Sequence, residues 1–132
     1  MSTNASASLT VAELTGLKVA NAVTAGGDIN IASGLGGPSN LTGTGAVNAG
    51  SGNVALSSTG PISFTASAGQ VVGNVLTLTA LNAVTVNASV VNLAANVTGD
   101  GDLTFVNTFT LANSGNLTVD SASNVTTNNG AI

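Results

Sequence analysis

Leu76-Thr77-Leu78-Thr79-Ala80-Leu81-Asn82-Ala83-Val84-Thr85-Val86 holds two copies of one short pattern. An apolar residue, a polar residue and a second apolar residue make a triplet, Leu76-Thr77-Leu78. Val84-Thr85-Val86 repeats it. Alternation with period two, carried by Val, Leu and Thr, is the signal of a half-buried strand. The triplet recurs in both directions: Leu9-Thr10-Val11, Leu17-Lys18-Val19, Ile29-Asn30-Ile31, Val54-Ala55-Leu56, Ile62-Ser63-Phe64, Val91-Asn92-Leu93, Leu103-Thr104-Phe105, Phe109-Thr110-Leu111 and Leu117-Thr118-Val119. Between triplets lie Gly, Asn, Ser and Asp, as in Gly26-Gly27-Asp28 and Ser58-Thr59-Gly60-Pro61. These residues accept tight turns and positive φ.

A longer period lies above the triplet. Val54 and Leu76 are 22 residues apart, as are Ile62 and Val84, and Leu9 and Ile29 are 20 apart. That spacing predicts an all-β chain wound as a parallel β-solenoid, with 20–22 residues and three short strands per coil. One such coil cannot bury its apolar side alone, whereas stacked coils can. Residues 1–132 then form a single rod of roughly six coils and about 30 Å. The segment 34–52 is rich in Gly and Ser, contains Pro38 and has few triplets, so it reads as an irregular coil or an excursion from the rod. Residues 9–23 fit either strands or a short helical cap, and strands are preferred. The rival architecture is an antiparallel β-sandwich, whose strands are usually longer.

The stretch from Gly115 to Ile132, with Gly115-Asn116-Leu117-Thr118-Val119 followed by Ala122, Val125, Asn128, Gly130 and Ile132, resembles one repeat of filamentous-haemagglutinin-like exoproteins and autotransporter passengers. Gly27-Asp28-Ile29-Asn30-Ile31-Ala32 and Gly101-Asp102-Leu103-Thr104-Phe105 match the opening of that repeat. The resemblance implies a right-handed parallel β-helix, displayed on or released from a bacterial surface. It places the chain outside the cell, as a fragment of a longer protein or as a small subunit that assembles with its own copies.

Composition narrows the function classes. Lys18 is the only basic residue, and Glu13, Asp28, Asp100, Asp102 and Asp120 are the only acids, for a net charge of −4. Phosphate neutralisation needs several Lys or Arg side chains, so nucleic acid is not an expected partner. The hydrophobic share is 43%, which does not fit a disordered chain. No apolar run reaches the roughly 20 residues of a membrane span. With only Phe64, Phe105 and Phe109 as aromatics, the chain lacks the girdles of a membrane β-barrel. There is no Cys, so disulfides do not hold the fold. Met1 to Thr10 is polar and has no signal-peptide pattern.

Chemistry-bearing residues are few. The sequence has no His, Cys or Tyr, which removes imidazole bases and thiol nucleophiles, so the chain reads as a non-enzyme without a cofactor. Asp100 and Asp102, in a Gly-rich turn, are the one close carboxylate pair. They are ordinary turn residues in the first instance and a weak calcium candidate in the second, because calcium takes six or more oxygens. Asn-x-Ser/Thr sequons begin at Asn4, Asn40, Asn87, Asn96, Asn116 and Asn124, a number close to chance for this composition. Asn74, Asn82, Asn96, Asn107, Asn116 and Asn124 are candidates for amide ladders between coils. Thr77, Thr79, Thr85, Thr104, Thr110 and Thr118 could face water, but their spacing shows no aligned rows.

Three functions follow. The first is an extracellular or cell-surface structural protein, a fibre subunit or stalk segment that associates end to end, since unpaired strands at a solenoid end template further chains. The second is an adhesin whose segment 34–52 meets a host-cell or carbohydrate ligand. The third is an ice-binding solenoid.

Overall fold

Every triplet between Leu9 and Phe105 contributes to a strand. The computed structural model of the chain describes residues 7–65, 71–99, 101–106, 117–120 and 125–127. These form a parallel β-solenoid with no helix. Each coil visits three faces. The first face stacks β1 (Leu9–Glu13), β4 (Ile29–Ser33), β7 (Val54–Ser58), the later part of β9 (Val71–Leu81), the later part of β11 (Ala88–Thr98) and β13 (Leu117–Asp120). The second stacks β2 (Leu17–Val19), β5 (Leu41–Gly43), β8 (Ile62–Phe64), β10 (Val84–Val86), β12 (Leu103–Phe105) and β14 (Val125–Thr127). The third is shorter: β3 (Ala22–Val23), β6 (Val47–Asn48) and the opening residues of β9 and β11. Four coils show all three faces among the described residues, and two more contribute to the first and second.

Every pairing is parallel, which excludes the antiparallel sandwich. Leu9↔Ile29, Val54↔Leu76 and Ile62↔Val84 are true register partners, so the spacings that defined the coil hold at those levels. The period is less uniform than 20–22. Ile29↔Val54 spans 25 residues and Leu76↔Leu93 spans 17. The short coil arises where strands bend round a corner without a loop. In β9 the inward alternation breaks at Asn74 and Val75 and resumes at Leu76.

Residues 9–23 are strands β1 to β3. The segment 34–52 is not an excursion from the rod. It holds β5 and β6, which pair with coils on both sides, and it buries Leu41, Val47 and Ala49 completely. Its Gly and Ser residues obscure the pattern because one inward position is Gly43. A Cβ there would overlap the ring of Phe64, so the missing side chain is the space the phenyl group fills.

Inward residues stack in columns. One runs Leu9, Ile29, Val54, Leu76, Leu93; the next runs Val11, Ile31, Leu56, Leu78, Ala95. Leu17, Leu41, Ile62, Val84 and Leu103 form a third on the second face. Burying one such side chain stabilises the fold by roughly 1.5–3 kcal/mol. At the corner before the first face, Gly27 and Gly52 lie one above the other. A Cβ on Gly52 would strike the carbonyl of Gly27, so glycine lets the coils close to strand spacing there.

Candidate functional site

Among the described residues, the first coil is covered from one side only. Strands β1, β2 and β3 each pair on one side only among the described residues. Above them lies a hollow of about 220 Å³ lined by Leu9, Val11, Leu17, Val19, Ala22 and Ile31, with Lys18, Ala20 and Asn21 on its rim. Local sequence accounts for this lining. These are the inward residues of the first triplets, and no described coil covers them from outside. Val11 and Leu17 are therefore only half-buried, although Ile31 and Leu41, their partners one coil in, are buried. Apolar groups at a sheet edge with unpaired backbone form a template for another strand. Glu13 does not intrude, because its Oε1 accepts the Leu14 N–H at 2.9 Å within its own turn.

A second surface is the outside of the second face. Register aligns Thr42, Ser63, Thr85 and Thr104 in one column, with Lys18 next to Thr42 in the first coil. Thr85 and Thr104 were candidates for a water-facing surface, but the row itself was hidden because its members fall 21, 22 and 19 residues apart. On the first face no Thr row forms, as the irregular spacing implies. Thr77 and Thr118 are separated in their column by Ala94, and Thr79 is followed by Asn96. Thr110 lies outside the described residues.

Of the carboxylate pair, Asp100 lies outside the described residues. Asp102 is exposed, and its main-chain carbonyl accepts the Val84 N–H at 2.9 Å. Among the described residues no three His, Cys, Asp or Glu side chains converge. Of the sequons, Asn40 and Asn96 are exposed and Asn87 is half-buried, while Asn4, Asn116 and Asn124 lie outside the described residues.

Amide stacking occurs at one corner, partly through residues the sequence did not mark. Asn53 donates its backbone N–H to Asp28 Oδ1 at 2.8 Å. Its own Oδ1 accepts from Asn74 Nδ2 at 3.4 Å and from the Val75 N–H at 3.3 Å. Asn74 was expected; Asp28 and Asn53 were not. Their signal is a Gly-Asp or Gly-Asn pair directly before an apolar triplet. Asn82 sits instead at a turn with φ of 74°, and Asn96 points outward; Asn107 lies outside the described residues.

At the opposite corner three hydroxyls replace apolar packing. Buried Ser33 donates to Ser58 at 3.1 Å, and Ser58 donates to the Ser39 carbonyl at 2.6 Å. Thr59 Oγ1 lies 2.8 Å from the Gly34 carbonyl and 2.7 Å from that of Gly37. These bonds hold the turn 34–40 against the rod, so they are structural. No helix among the described residues is long and apolar enough to cross a membrane. The chain matches no family model, no curated protein and no solved structure.

Proposed function

We propose that the chain is a non-enzymatic structural subunit that associates end to end into fibres outside the cell. The first coil of the solenoid carries this reading: among the described residues its three strands pair on one side only and surround an apolar hollow. A second copy would cover both the unpaired backbone and the half-buried Val11 and Leu17. Such contact is head-to-tail and has no closing symmetry, so it extends into filaments. The absence of His, Cys and Tyr from the sequence supports a role without catalysis. The resemblance to haemagglutinin-like repeats supports a place on or beyond a bacterial surface. The test is electron microscopy with sedimentation of the purified chain. Filaments are expected, and Leu17→Asp should abolish them while the circular dichroism stays β-rich. Strictly monomeric wild-type chain at high concentration refutes the reading.

The adhesin alternative loses its loop, because 34–52 is built into the rod. A ligand surface for a host cell or carbohydrate would have to be a flat face. The ice-binding alternative gains the hydroxyl column from Thr42 to Thr104. Thermal hysteresis decides it: Thr85→Leu should remove any activity present in the wild type, and a wild type without hysteresis ends the idea.

A further inference from the structure

We draw no further inference here: the strongest candidate, the apolar surface patch of exposed Leu14 and Leu35 on the stacked turns that join the first and second faces, carries nothing because nothing in the structure shows what covers it.

Discussion

Leu56 and Val11 occupy the same inward column, two coils apart, and their surroundings differ completely. Leu56 is 1% exposed, with a coil above and a coil below. Val11 is half-buried, with a described coil on one side only. Leu41 and Leu17 make the same contrast on the second face. The triplets are alike, so burial belongs to the place in the stack rather than to the triplet. Middle coils bury their triplets from both sides, and the first coil leaves part of its apolar surface uncovered among the described residues.

The largest expected effect tests the middle. Phe64 is completely buried. Phe64→Ala should cost about 3–5 kcal/mol, by lost transfer energy and by the cavity left behind. Val11→Ala in dilute, unassembled chain should cost less than about 1 kcal/mol, because less surface leaves water there. Urea unfolding of both variants measures the difference. Equal costs would mean that the first coil is as well covered as the third, and the contrast would collapse. In assembled material Val11→Ala should instead raise the concentration at which fibres first sediment.

Gly43 sharpens the same contrast from the opposite direction. Gly43→Ala places a methyl group against the Phe64 ring and should destabilise by about 1–3 kcal/mol through overpacking. Phe64→Leu in the same chain should recover part of that loss, and a double-mutant cycle reads the coupling. Purely additive costs would show that Gly43 is needed for some reason other than the ring. Ser58→Ala comes next. It leaves the buried Ser33 hydroxyl without its acceptor and the Gly60 N–H without its partner. Unsatisfied buried groups cost about 1–3 kcal/mol.

The parallel stack was legible because period-two apolar positions and turn residues leave few other solutions. Even particular register pairs such as Leu9 with Ile29 could be read from spacing. The later part of the second coil, β5 and β6, was not legible, since Gly43 fills an inward position that pattern matching assigns to an apolar side chain. Its partner Phe64 lies a coil away, where no local rule looks. The hydroxyl column on the second face was hidden for a related reason. Coils of unequal length carry no constant interval, and only the register brings Thr42, Ser63 and Thr85 into line. The hollow at the first coil was not legible, because the residues that line it depend on where that coil turns.

The smallest effect separates corner from face. Asn53 and Asn96 are both exposed asparagines. Asn53 stands at the corner, where its Oδ1 accepts from Asn74 and from the Val75 backbone. Asn96 stands on the outward side of a flat face. Asn53→Ala removes an acceptor shared by two donors, but water can replace it at the surface, so the net cost should be about 0.5–1.5 kcal/mol. Asn96→Ala should stay within about 0.5 kcal/mol of the wild type. If urea midpoints show the two variants to be equal, the amide stack adds nothing to the corner. Close approach of the glycine backbones of Gly27 and Gly52 would then be enough to hold successive coils in register.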